Sequence, residues 1–124
     1  MKLRILGNTL RLRVSKSEVA LISTRGWVED AICFPGGARL VYRLESGPNH
    51  AFAADYAADR ICVRAPQSAV LRWMRDDEVA MQGEQLTGGA DMLEILVEKD
   101  FECLKPRPGE DAADLFTNPA KGGA

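Results

Sequence analysis

Two stretches of the chain run through the same succession of patterns. LRLRVSKSEVALISTRGWVE, residues 10–29, passes from two-residue alternation into helical spacing and back to alternation. ICVRAPQSAVLRWMRDDEVA, residues 61–80, does the same. This order is the strongest constraint on the fold, because it asks short strands to carry the core with a short helix set between them.

Read in detail, KLRIL puts Leu3 and Ile5 against Lys2, Arg4 and Leu6, and TLRLRV puts Leu10, Leu12 and Val14 against Thr9, Arg11 and Arg13. The two-residue junction Gly7-Asn8 between them spells a β-hairpin. Ser15 with Glu18 three residues on is a capping-box spelling, Val19 and Ile22 follow at helical spacing, and Gly26 stands where helices end. The next strand carries Val28, Ile32 and Phe34 on one face, Pro35-Gly36-Gly37 turns, and Leu40, Tyr42 and Leu44 return inward. The second half follows suit. Phe52, Ala54 and Tyr56 share a face, Ala58-Asp59 turns, Ile61 and Val63 point inward, and Pro66 opens a helix carrying Val70, Trp73 and Met74. Val79 and Met81 point inward from the next strand. Leu93, Ile95, Val97 and Lys99 then alternate with Met92, Glu94, Leu96 and Glu98.

The element order is therefore β-β-α-β-β, written twice. At a spacing of 51, Leu12 falls on Val63, Arg13 on Arg64, Val19 on Val70 and Val28 on Val79. The expected fold is α+β, mainly β: a small barrel or sandwich of about eight short strands with two short helices. The expected domain is residues 1–104, with matching halves 1–46 and 50–99. Residues 105–124, rich in Pro, Gly, Ala and acid, form an irregular tail in which Leu115 and Phe116 are the apolar residues able to dock.

A chain of 124 residues buries about two thirds of its unfolded surface, so it needs neither disulfide nor metal to fold. No apolar run approaches the roughly 20 residues of a membrane span, and Arg4, Arg11 and Arg13 break any signal-peptide core. Three scattered cysteines (Cys33, Cys62 and Cys103) fit a reducing cytoplasm better than a disulfide framework.

The net charge of −2 conceals a gradient. Residues 1–25 carry Lys2, Arg4, Arg11, Arg13, Lys16 and Arg25 against Glu18 alone, while residues 76–114 carry twelve acids against three bases. In the first hairpin, Arg4 falls opposite Arg11 and Lys2 opposite Arg13, and like charges across a hairpin repel. An anion answers that repulsion, or carboxylates of the last strand do, with Arg4, Arg11 or Arg13 meeting Glu94, Glu98 or Asp100. Solvation of spread side chains is the plainest alternative.

The stretch VEKDFECL, residues 97–104, alternates Glu98, Asp100 and Glu102, a row able to face a hard cation but more simply a solvated strand edge. Cys103 would be a nucleophile only with His50 beside it, and nothing in the spacing brings them together. No zinc spacing and no phosphate-binding glycine motif occurs, so no metal or cofactor is expected.

The opening LRILGNTLRLRVSKSEV and the ending LVEKDFECLKPR together resemble a family of small, single-domain bacterial proteins of unknown function. More loosely, residues 60–79 are similar to the strand–Pro–helix–strand unit of swapped-hairpin antitoxins, and the repeated order is similar to that of cradle-loop barrels. The family resemblance implies a cytoplasmic bacterial protein and transfers no activity. It groups Asn8, Arg11, Arg13, Glu98, Lys99, Asp100, Phe101 and Cys103, which suggests that the chain's two ends meet.

The leading expectation is a non-enzymatic binding or regulatory module for a protein or small anionic ligand, without a membrane and with a homodimer as one form open to it. Its candidate anion or partner site is Arg4, Arg11, Arg13, Glu98, Lys99, Asp100 and Cys103. Second comes a swapped-hairpin nucleic-acid binder, which requires a dimer with its three arginines on one exposed face. Third comes a small enzyme centred near residues 98–103.

Overall fold

A computed structural model describes residues 1–75, 78–101, 114 and 116. The first hairpin forms in the expected register. Strands β1 (Lys2–Leu6) and β2 (Thr9–Val14) pair Leu3 with Leu12, Arg4 with Arg11 and Lys2 with Arg13. Gly7 takes the left-handed turn conformation, φ 55°. Helix α1 (Lys16–Arg25) starts on a full capping box, in which Ser15 accepts from the Glu18 amide and the Glu18 carboxylate accepts from the Ser15 amide. Left-handed Gly26 ends it. Strands β3 (Trp27–Cys33) and β4 (Arg39–Gly47), β5 (Ala53–Ala57) and β6 (Arg60–Pro66), helix α2 (Gln67–Arg75), and strands β7 (Ala80–Leu86) and β8 (Met92–Lys99) complete the order.

The halves interleave. One sheet has the order β1-β2-β8-β7 and the other β3-β4-β6-β5. Each sheet thus takes one hairpin from each half of the chain. The two hairpins of each sheet are joined by a parallel ladder, β2 on β8 and β4 on β6. Leu12, Val14, Leu44, Val63, Ala65, Ile95 and Val97 from these four central strands are buried in one core together with Ile22, Val70 and Trp73 of the helices. Trp73 is fully enclosed, and its indole N–H donates to the Val79 carbonyl at 3.4 Å. The first hairpin lies against the last strand, as the charge pattern suggested.

The sheets do not close into a barrel; of the two architectures expected, the two-sheet arrangement is the one formed. At the β5–β7 corner, side chains make the junction without a ladder. The Ala54 amide donates to the Gln85 side-chain oxygen at 2.7 Å, and the Phe52 ring lies on Gly83.

The spacing between matching positions also needs correction. Leu12 and Val63 occupy equivalent ladder positions, 51 residues apart, but Leu44 and Val97 are 53 apart. Val28 therefore matches buried Met81 and not Val79, which is 45% exposed. Ile32, Phe34 and Tyr56, read as sharing faces with Val28 and with Phe52 and Ala54, are exposed as well. Alternation assigns a side chain to a face of the sheet, but these three lie towards the hairpin turns, beyond the part of the core that the helices cap.

Of the tail, Phe116 docks as anticipated. Its ring packs edge-on against Phe101 at 5.8 Å, and its amide donates to the Asp100 carbonyl at 2.8 Å. Leu115 and Cys103 lie outside the described residues. No helix among the described residues is long and apolar enough to cross a membrane.

Two substitutions test this packing. A Cβ on Gly83 would stand 2.5 Å from the Phe52 ring, so Gly83→Ala should cost about 1–3 kcal/mol in urea denaturation. Ala58 and Asp59 both sit at positive φ, 52° and 60°, where an L side chain is strained. Replacing the pair by Asn-Gly should raise stability by about 1 kcal/mol in the same assay.

Candidate functional site

On the outer face of the first sheet, the parallel ladder sets Arg13 beside Glu98. Both arginines of β2 reach one carboxylate oxygen: Arg11 Nε lies 2.5 Å and Arg13 Nε 2.8 Å from Glu98 Oε1. Half-burial alone would raise the Glu98 carboxyl. The two guanidiniums outweigh it and hold Glu98 below the ordinary glutamate value. The charge match anticipated between the ends of the chain is therefore present at Glu98.

The other candidate residues divide. Lys2 Nζ lies 2.9 Å from Oδ2 of the buried Asp100, whose amide donates to the Val14 carbonyl. Lys99 turns to the opposite face, with Nζ 6.0 Å from the Trp73 ring centre and 5.5 Å from that of Phe116. It is not part of the arginine cluster. Glu98 and Asp100 already hold cationic partners, and Glu102, the third carboxylate of the proposed row, lies outside the described residues. Glu94 accepts from the Thr9 hydroxyl at 3.0 Å. Arg4 is exposed on edge strand β1 opposite Arg11, and its side chain makes no hydrogen bond or ion pair with a described residue.

The second sheet repeats the central pair. Arg64 stands beside Glu45 in the β4–β6 ladder, with Arg64 Nε 2.8 Å from Glu45 Oε1. Arg43 joins the same carboxylate at 3.0 Å. Burial pushes the Glu45 carboxyl up, but hydrogen bonds from Arg43, Cys62 and Arg64 reverse the shift, and its net direction is down. The network runs on in both directions. Arg64 Nη1 meets Asp55 Oδ2 at 2.5 Å, Arg43 meets Glu29 at 3.7 Å, and Arg60 meets Glu29 at 3.4 Å. Arg25 and Arg43 stack on the Trp27 ring, with guanidinium carbons 3.9 and 4.3 Å from its centre.

Sequence reasoning missed this network. The Arg13–Arg64 match pointed to it, but the Glu98–Glu45 match was hidden by the two-residue change in spacing. Cys62, at the ladder position matching Arg11, is buried. Burial and then the Glu45 charge push its thiol up, away from the reactive thiolate.

At the hairpin end, a cleft of about 240 Å³ opens between β1–β2 and β5–β6, lined by Ile5, Leu10, Ala54, Tyr56, Ile61 and Leu93 among others. Ile5 matches Tyr56 and Leu10 matches Ile61, so both hairpins contribute equivalent apolar positions.

A family model matches residues 1–120, and its family is one of unknown function, DUF7009. The chain belongs to DUF7009. This bears out the resemblance drawn from LRILGNTLRLRVSKSEV and LVEKDFECLKPR. No curated protein and no solved structure matches this DUF7009 chain.

The two glutamates make a pH prediction. A carboxyl depressed in the folded state adds stability that is complete above the unfolded glutamate value and is lost as pH falls through the folded one. Glu45→Gln/Glu98→Gln should be less stable than wild type near neutrality by roughly 1–2 kcal/mol per site, the modest size reflecting partial exposure. The deficit should shrink below about pH 4. Urea denaturation across that range checks it, and a deficit independent of pH would mean that the pairs act through packing alone.

Proposed function

We propose that this protein is a non-enzymatic binding module whose working surface is the outer face of β1, β2 and β8, and that its partner carries negative charge. The observation carrying this reading is Arg4, a cation set opposite another cation in an antiparallel ladder with no carboxylate within ion-pair reach among the described residues. Opposed like charges destabilise a hairpin unless something neutralises them. An enzymatic reading centred near residues 98–103 has less support, because Glu98 and Asp100 are held by cations.

Duplex DNA is the weaker partner. Arg11 and Arg13 already share Glu98, which leaves less positive charge for a run of phosphates, and the net charge of the chain is −2. A swapped-hairpin reading also called for a second chain, whereas here the hairpins of the two halves interleave within one chain.

Amide NMR spectra should be recorded with an acidic peptide and with a duplex oligonucleotide, at low and high salt. The acidic peptide should move the signals of Lys2–Leu6 and Thr9–Val14, fading as salt rises. Movements confined to β5 and β6 or to the helices, with the signals of Lys2–Leu6 and Thr9–Val14 unmoved, would overturn the reading.

A further inference from the structure

The two sheets present the same ladder positions with different charges. Arg13 matches Arg64 and Glu98 matches Glu45, and each pair is joined at 2.8 Å. Each glutamate takes a second arginine, Arg11 on the first sheet and Arg43 on the second. At the next position the sheets differ. Asp55, cross-strand from Cys62, extends the second network through Arg64, whereas the matching position on the first sheet is Arg4, cross-strand from Arg11.

The charge count follows from that one position. On the second sheet, Arg43, Arg60 and Arg64 are linked in one chain of ion pairs to Glu29, Glu45 and Asp55, three against three. On the first, Arg4, Arg11 and Arg13 face only Glu98 within ion-pair reach, and Lys2 pairs with Asp100. Two positive charges are left over within ion-pair reach, and the remaining acids of this face, Glu94 and Glu84, stand opposite each other on β8 and β7 with Glu94 held by the Thr9 hydroxyl. A single carboxylate would remove one of the two charges. A phosphate monoester, near its dianionic form at neutral pH, removes both. Its tetrahedral oxygens suit guanidinium forks approaching from two strands.

We infer that the β1–β2 face holds one dianionic oxyanion of the phosphate class, gripped by Arg4, Arg11 and Arg13 at the place that the Asp55 carboxylate fills on the other sheet. This rests on the reading of the face as an anion-binding surface. The second sheet serves as the internal reference, since it shows the same ladder closed by its own carboxylate.

The test is an NMR titration of the full chain with inorganic phosphate, with acetate as the monoanionic control, read on the arginine Nε–H signals. Phosphate should shift Arg4, Arg11 and Arg13 in a saturable way and bind at least about tenfold tighter than acetate. Arg4→Asp installs the arrangement of the second sheet. It should weaken phosphate binding by about tenfold or more and leave the folded spectrum and thermal midpoint in phosphate-free buffer intact or improved. Arg4→Lys keeps the charge and should retain measurable binding. Equal responses to acetate and phosphate, or undiminished phosphate binding by Arg4→Asp, would overturn the inference. An acidic peptide that binds this face while phosphate does not would remove the phosphate assignment and leave the binding reading standing. Silence to both would remove the two together. A serine-phosphorylated peptide, compared with its unmodified form, separates the sources. Tighter binding than inorganic phosphate, with shifts spreading beyond the arginines, indicates a protein-borne phosphate, and equal binding indicates a small phosphate ligand.

Discussion

The structure depends on two parallel ladders, β2 on β8 and β4 on β6. An isolated two-stranded hairpin is at best marginally stable in water. Here each of the four hairpins gains a third and fourth strand only from the other half of the chain. The residues enclosed by these ladders, Leu12 and Val14 with Ile95 and Val97, and Leu44 with Val63 and Ala65, form the centre of the core. Neither half can bury its apolar face until the other is in place. The fold is therefore built on contacts distant in sequence, which places its folding among the slower topologies.

The same ladders fix the polar surface. Because β2 and β8 run parallel in one register, Arg13 has no neighbour on that strand but Glu98, and Arg64 has Glu45 for the same reason. Charge placed on the outside of a central strand is thereby paired by topology. Each glutamate is shared by two guanidiniums, so it stays ionised in spite of its partial burial. The difference between the two sheets lies at the edge strands, where pairing is not imposed and where Arg4 and Asp55 stand at matching positions.

How much of this was legible in the sequence follows from range. The hairpin register, the Ser15–Glu18 cap and the Gly26 stop are set by residues within a few positions of one another, and these were readable. The approach of Arg11 and Arg13 to Glu98 was readable as a charge imbalance between the ends. The parallel pairing was not readable as a ladder, because alternation fixes which face a side chain takes and says nothing about which strand lies beside it. The Glu45 network stayed hidden for that reason, although Arg64 had been matched to Arg13. Tyr56, Ile32 and Phe34 are exposed although alternation groups them with less exposed residues, because alternation carries no information about where along its length a strand leaves the core.

The position of Arg4 has a competing explanation. Charges on an edge strand guard against sheet-to-sheet pairing, and β1 is an edge. That role, however, can be filled by either sign. Asp55 supplies it on edge strand β5 and at the same time neutralises Arg64. An aspartate at position 4 would protect β1 equally well and would also relieve the repulsion around Arg11. Edge protection therefore asks for a charge at this place without requiring a positive one. The proposed anion would account for the sign, and the fold already contains, on its other sheet, the pattern of such a completed face.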